Sequence, residues 1–336
     1  MDELLSWWGK TVGQNHALRL VDICLRGAGQ VMLQNNPVTG FLFLLGIFWS
    51  VSVEGAAAVA IGAIVGLVVA TMTAILLGSD ETSIDQGLFG FNGILVGVAV
   101  PTFLVMGPET WFLLIIGAAF STIAMLAISH VTKLWGVPAL TFPFVLTTWF
   151  LVLAAYSFGH LPIAGMGPPA LPSPFAEPAD LSAASFLNAC LKSISQVFLI
   201  NNAVTGIIFI VALLASSVYA AAFAVAGAMV AVAVASFLGA NPADMSAGLY
   251  GFSPVLTAIA LGCVFFEPSW RVALFALLGT VVAVIVQGAL DAAIAPLGVP
   301  TFTAAFVFVT WLFLLPKLNL KPHGHEPVSD GIMTGK

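Results

Sequence analysis

Charge is scarce in this chain. Its 336 residues hold 9 lysines and arginines and 15 aspartates and glutamates, 7% in all. A soluble domain needs about 25% to clothe its surface, so a water-exposed globule of this length is excluded. The net charge of −6 comes without a basic cluster, which excludes nucleic-acid binding. Cysteine is nearly absent. Cys24, Cys190 and Cys263 lie in separate apolar runs with no CxxC or Cys/His spacing, and they read as small packed hydrophobes. No Ser/His, HExxH or paired-aspartate arrangement falls in an apolar stretch, so neither an enzyme nor a cofactor is expected. The opening MDELLSWWGK has no basic segment ahead of an apolar core, so no cleaved signal is expected. His323 and His325 read as residues of a polar tail.

What fills the chain instead is hydrophobic residues, 60% of the total. That composition predicts an all-α polytopic membrane protein. A charge at mid-bilayer costs several kcal/mol, so charge-free stretches mark the spans. They are 37–53, 55–79, 86–108, 110–132 and 134–156 in the first half. In the second half they are 193–243, long enough for two, then 245–266, 272–290 and 292–316. Each half opens with a shorter segment, 18–33 and 186–199. The first carries Arg19, Asp22 and Arg26 and is expected at the interface or inside the bundle. The division is therefore a first half over 1–156, a linker over 157–185, a second half over 186–316 and a polar tail over 317–336. The linker holds Pro162, Pro168, Pro169, Pro172, Pro174 and Pro178, enough proline to make it stiff and extended. It has Glu177 and Asp180 but no lysine or arginine, while Lys10, Arg19, Arg26, Lys317 and Lys321 flank the ends. The positive-inside rule puts the linker outside and both termini in the cytoplasm.

The two halves repeat one another. Leu25, Gln30, Val31, Asn35, Asn36, Val38, Thr39 and Gly40 recur as Leu191, Gln196, Val197, Asn201, Asn202, Val204, Thr205 and Gly206. GLFGF at 87–91 recurs as GLYGF at 248–252, and Leu95 as Leu256. Gly136-Val137-Pro138, Thr141, Phe144 and Trp149 recur as Gly298-Val299-Pro300, Thr303, Phe306 and Trp311. The offsets run from 161 to 166 residues, in one order. An odd number of spans per copy inverts the second copy. Lys133 and Arg271 also lack a cationic counterpart in the other copy. Inverted repeats place a permeation site at their interface, near mid-bilayer.

The repeated polar residues are the candidates for that site. The Asn pairs read as helix caps and glue. Gln30 and Gln196, with Thr141 and Thr303, read as pathway residues, because a buried polar group needs a partner. Phe91 and Leu95 share a helical face, as do Phe252 and Leu256. Gly87, Gly90 and Gly93 permit close approach and irregular turns, which survive in a membrane only inside protein or beside a cavity. An ion-coupled transporter would need a buried titratable group. Glu54, His130 and Asp291 are the options, and all three fall near span ends, where snorkelling explains them. An ammonium-type channel, marked by twin pore histidines, is disfavoured, since only His130 lies in a span.

At LRGAGQVMLQNNPVTG with LKSISQVFLINNAVTG, GLFGFNGILVG with GLYGFSPVLTA, and VPALTFPFVLTTW with VPTFTAAFVFVTW, the chain resembles the urea transporters, as a bacterial member. The resemblance implies passive, channel-like conduction of urea in the cell inner membrane by a homotrimer with one pore per protomer. It implies five spans and one re-entrant helix per half. It also makes Phe91, Leu95, Phe252 and Leu256 a narrow slot for flat neutral amides, Gln30 and Gln196 the polar positions bracketing it, and Thr141 and Thr303 its constricted centre. Two departures stand out. One bacterial branch has an acidic residue where Gln196 stands, and Leu33 and Leu199 occupy positions where some members carry further slot phenylalanines.

Overall fold

The computed structural model describes Val12, residues 15–172 and residues 182–320. Lys10, Glu177, Asp180, Lys321, His323 and His325, which entered the reading of sidedness and tail, lie outside the described residues. Those described are almost wholly helical. The first half forms α1 (His16–Gln30), α2 (Pro37–Glu54), α3 (Ala57–Leu76), α4 (Glu81–Asp85), α5 (Gly90–Phe103), α6 (Pro108–Trp135) and α7 (Phe142–Ala155). The second forms α8 (Ala183–Ser195), α9 (Ala203–Ser216), α10 (Val218–Phe237), α11 (Pro242–Ser246), α12 (Phe252–Ile259), α13 (Trp270–Ile294) and α14 (Ala304–Leu314). Each element of one half has its counterpart seven places on.

Local chemistry explains where these helices start. Asn36 caps α2 through Oδ1, which accepts from the Val38 and Thr39 amides at 2.9 and 3.3 Å. Pro37 then occupies a position whose N–H has no helical partner in any case. Asn202 caps α9 in the same way, from the Thr205 amide at 3.1 Å. The expected capping role of this pair therefore holds. The charges of α1 are paired rather than turned to lipid. Arg26 Nε donates to Asp22 Oδ2 at 2.7 Å, Arg19 meets Asp85 at 2.8 Å, and Asp22 is buried in the bundle.

Among the described residues five helices are long and apolar enough to cross a membrane: α2, α3, α6, α10, and α13 with its following turn. The pair α8–α9 bends by 72° across its break. The remaining apolar helices are shorter than the charge-free stretches containing them. At 14 residues, α5 and α7 each reach about 21 Å, against a hydrocarbon core of about 30 Å. Hydropathy counts apolar residues whether or not they are helical. The Gly-Leu-Phe-Gly and Gly-Val-Pro turns consume the difference. Large side chains such as Phe112, Leu214 and Leu278 project from the outer helix faces, a surface suited to lipid and not to water. The molecule is a polytopic all-α membrane protein.

The halves are related by a pseudo-twofold axis, and the contacts show it. Trp149 donates its indole N–H to Pro300 O at 2.9 Å, and Trp311 donates to the equivalent Pro138 O at 2.7 Å. Thr39 donates to Ala212 O at 2.8 Å, and Thr205 to the equivalent Gly46 O at 3.0 Å. Reciprocal contacts of this kind are the signature of twofold symmetry. Two equivalent pairs touch each other and so lie on the axis: Phe43 with Phe209, rings 4.9 Å apart, and Thr141 with Thr303. Thr39, near the start of α2, bonds near the end of α9, so these helices run antiparallel. The axis is therefore perpendicular to them, and the second half is inverted.

The linker continues the fold. Val105 N donates to Pro162 O and Ala164 N to Phe103 O, around a bridge between Leu104 and Ile163. Ala170 N donates to Ala295 O. The described part of the linker, 157–172, thus lies across the ends of α5 and α13.

Candidate functional site

Two cavities enter the molecule between the halves. One, of about 500 Å³, is lined by Gln196, Phe252 and Thr303, with Phe103, Phe144 and the linker residue Gly165 from the first half. This is the linker-side cavity. The other, the far cavity, measures about 470 Å³ and is lined by Gln30, Phe91 and Thr141, with Val264, Phe265 and Phe306 from the second half. Each is lined by one of the two threonines, whose hydroxyl oxygens are 2.7 Å apart. The cavities therefore abut at a single bonded pair.

Of the residues singled out by sequence, Gln30, Phe91 and Thr141 come together in one cavity, and Gln196, Phe252 and Thr303 in the other. Leu95 and Leu256 line neither. They lie one helical turn beyond Phe91 and Phe252, wholly inside the core.

The polar groups have defined roles. Gln30 Nε2 donates to Gln86 O at 3.0 Å, and Gln196 Nε2 donates to the equivalent Ala247 O at 2.9 Å. Each amide nitrogen is held by the loop before α5 or α12, which leaves Oε1 as an acceptor. Thr141 and Thr303 are the N-cap residues of α7 and α14, yet neither hydroxyl caps its own helix. They bond each other instead. Asn92 Oδ1, from α5, takes the Phe144 amide of the α7 first turn at 3.0 Å.

Backbone strain gathers at the same place. Leu33, Leu199, Leu140 and Phe302 have φ of 63°, 57°, 53° and 48°. They form two repeat-equivalent pairs, and all four line the cavities. A non-glycine residue in this region costs about 1–3 kcal/mol and persists only where its surroundings fix it. Leu140 and Phe302 immediately precede the two threonines, so the strained residue sets where each hydroxyl points. Gly87 and Gly248, at φ 71° and 79°, make the corresponding turns ahead of α5 and α12. A side chain there would also strike the Gly27 or Ser193 backbone.

Sequence reasoning missed several lining residues. Phe144 and Phe306 each cross to the cavity of the opposite half, and their repeated Phe-Val signature was visible. Phe302 packs edge-on against Phe144 and Phe103, with centroids 5.2 and 5.7 Å away. Asp291 overturns its expected place at the lipid interface. It lines the linker-side cavity, where Thr301 and Gln287 donate to Oδ1 at 3.1 and 3.0 Å. The turn of chain at Gly-Val-Pro folds Thr301 back over it, which hydropathy cannot register. Asp244 and Tyr250 join it in that cavity. Burial pushes the Asp244 carboxyl above its usual range. Of the other charged candidates, Glu54 accepts from Asn202 at 3.3 Å and His130 is exposed. Among the described residues no group of three His, Cys, Asp or Glu side chains is placed to hold a metal.

A family model described as "Urea transporter" matches residues 21–318. Urea transporter 1 of Ovis aries is 30% identical over 322 residues, 94% of this chain and 81% of the relative. Urea transporter 1 of Rattus norvegicus is 30% identical over 306 residues, 89% of this chain and 77% of the relative. These matches run through every cavity-lining element from α1 to α14, and the chain belongs to the urea transporter family.

Proposed function

We propose that the protein conducts urea passively, through the two cavities and past the threonine pair. The observation that carries this reading is the neutral centre. Where the cavities abut, the polar groups are two hydroxyls bonded to each other at 2.7 Å, with phenylalanines on either side. Urea is flat and neutral, with four N–H donors and one carbonyl. Phe91 and Phe252 admit it edge-on. The free Oε1 atoms of Gln30 and Gln196 accept its N–H groups as water is shed. Leu95 and Leu256, fully buried one turn beyond Phe91 and Phe252, keep the pathway narrow where the cavities meet. At the centre each threonine hydroxyl trades its partner for urea, so the solute is bound well enough to enter and weakly enough to leave.

An ion-coupled mechanism has one point in its favour, Asp291 in the linker-side cavity. Its repeat equivalent is Ser129, which lines the far cavity. Among the described residues lining the far cavity no carboxylate matches it to relay a proton or Na⁺ onward, so the passive reading is preferred. The remaining assignments follow the same reading. The halves span 1–156 and 186–316, with the linker outside and both termini in the cytoplasm. The protein sits in the cell inner membrane as a homotrimer, with one pathway per protomer.

The test is stopped-flow urea flux into liposomes holding the purified protein. Flux is expected to persist when proton and Na⁺ gradients are collapsed. Loss of flux on adding a protonophore, at a constant urea gradient, overturns the passive mechanism.

A further inference from the structure

The two cavities are equivalent by symmetry but not in chemistry. Gln287, Asp291 and Thr301 line the linker-side cavity, and Met125, Ser129 and Ala139, their repeat equivalents, line the far one. On the linker side the three side chains form a closed triangle. Gln287 Nε2 donates to Thr301 Oγ1 at 2.6 Å and to Asp291 Oδ1 at 3.0 Å, and Thr301 Oγ1 donates to Asp291 Oδ1 at 3.1 Å. The bonding is lopsided. Both donors to Asp291 meet Oδ1, and Oδ2 takes no hydrogen bond among the described residues. Gln287 is 2% exposed, and its Oε1 is buried without a partner. Such an orphaned acceptor is costly unless a ligand meets it. Asp291 Oδ2, a charged acceptor, therefore stands unmatched in the cavity wall, with the orphaned Gln287 Oε1 buried beside it and Asp244 also in the lining. The far cavity carries Lys133 instead.

The geometry points to a recognition site for planar N–H-bearing cations of the guanidinium type at the linker-side mouth, built by Asp291, Gln287 and Thr301 and occupied in competition with urea. A guanidinium plane offers parallel N–H pairs that match a carboxylate. The charge favours it over neutral urea at Asp291. The same charge stops it further in, because α7 and α14 present their N-termini, the positive ends of their dipoles, at the threonine pair. The cation enters, binds and does not pass. The inference rests on the pathway proposed above.

Guanidinium chloride at millimolar concentration is the probe, with tetramethylammonium chloride as a cation lacking N–H groups. Urea flux is measured in vesicles whose linker faces outward and in inverted ones. Guanidinium is expected to slow flux only when added on the linker side, and tetramethylammonium from neither side. Block is scored against each variant's own unblocked flux. Asp291→Asn is expected to raise the half-blocking concentration at least about tenfold, as loss of a hydrogen bond to a charged group implies. Gln287→Met, which installs the far-cavity residue, raises it less. Equal block from both sides, equal block by tetramethylammonium, or undiminished block in Asp291→Asn overturns the site. Should Asp291→Asn not fold, sidedness in the unmodified protein and Gln287→Met decide. Absence of urea flux in the unmodified protein overturns the pathway and not this site. Calorimetric titration of guanidinium into purified protein and Gln287→Met then decides it, and equal binding or none overturns it.

Discussion

Thr141 and Thr303 begin two helices from opposite halves, and their hydroxyl oxygens lie 2.7 Å apart on the pseudo-twofold axis. Each hydroxyl is the other's partner, and neither bonds a carbonyl of its own helix. Replacing one with valine keeps the shape, orphans the other hydroxyl and leaves passing urea one partner short. The cost of an unmatched polar group, about 1–3 kcal/mol, corresponds to a flux reduction of about 5- to 100-fold. Thr141→Val and Thr303→Val are each expected to slow urea by such a factor while folding normally. The double variant should lose less than the two losses combined, because bonded partners do not act independently. Single variants conducting at the unmodified rate would remove the pair from the pathway.

Phe91 and Phe252 line the two cavities on either side of that pair. Phe91→Ala and Phe252→Ala are expected to widen the entrances, so that bulkier or non-planar amides gain relative to urea. The readout is the flux ratio of dimethylurea to urea. An unchanged ratio in both variants would make the rings packing alone.

The repeat, the five long spans and six cavity residues were legible in the sequence because each leaves a chemical mark. Shared glutamine, asparagine, proline and tryptophan are rare enough to align two apolar halves. Inversion allows Thr141 and Thr303 to meet, since equivalent residues touch only on the axis, and the structure brings their hydroxyl oxygens to 2.7 Å. What stayed hidden depends on backbone geometry. A charge-free stretch does not announce that α5 and α7 are half-length. Left-handed Leu140 and Phe302 look like any apolar residue, although they aim the threonines. Asp291 read as a span-end charge because its distance to Thr301 is set by the fold of the Gly-Val-Pro turn, not by spacing.

Gly40 and Gly206 test the symmetry through stability. A β-carbon at either position would run into the carbonyl of Leu25 or its equivalent Leu191. The neighbour is backbone inside a helix and cannot yield as a flexible side chain would. Gly40→Ala and Gly206→Ala are each expected to destabilise by about 1–3 kcal/mol, the usual cost of overpacking. Thermal unfolding in detergent measures this, and the two shifts should be similar. Unchanged melting in either variant would mean that the helices in that half separate more easily than these contacts imply.

Guanidinium and urea have nearly the same flat shape, so the aromatic walls cannot separate them. Charge at the centre can. Each helix N-terminus acts as roughly +0.5 of an elementary charge, and those of α7 and α14 face one another across the threonine hydroxyls. A cation reaching that point has lost water, meets two positive dipole ends and finds no carboxylate at the pair. Positive half-helix ends exclude cations from other membrane pores by the same physics. A charge at mid-membrane costs about 2.5–3.5 kcal/mol on insertion scales, so labelled guanidinium should cross about 70- to 400-fold more slowly than urea. Thr303→Asp places a carboxylate at the α14 N-cap, between both helix ends. It is expected to slow urea and to narrow the gap between the two solutes. Guanidinium crossing the unmodified protein within about tenfold of urea, a difference of only about 1.4 kcal/mol, would show that the opposed helix ends do not set the charge selectivity.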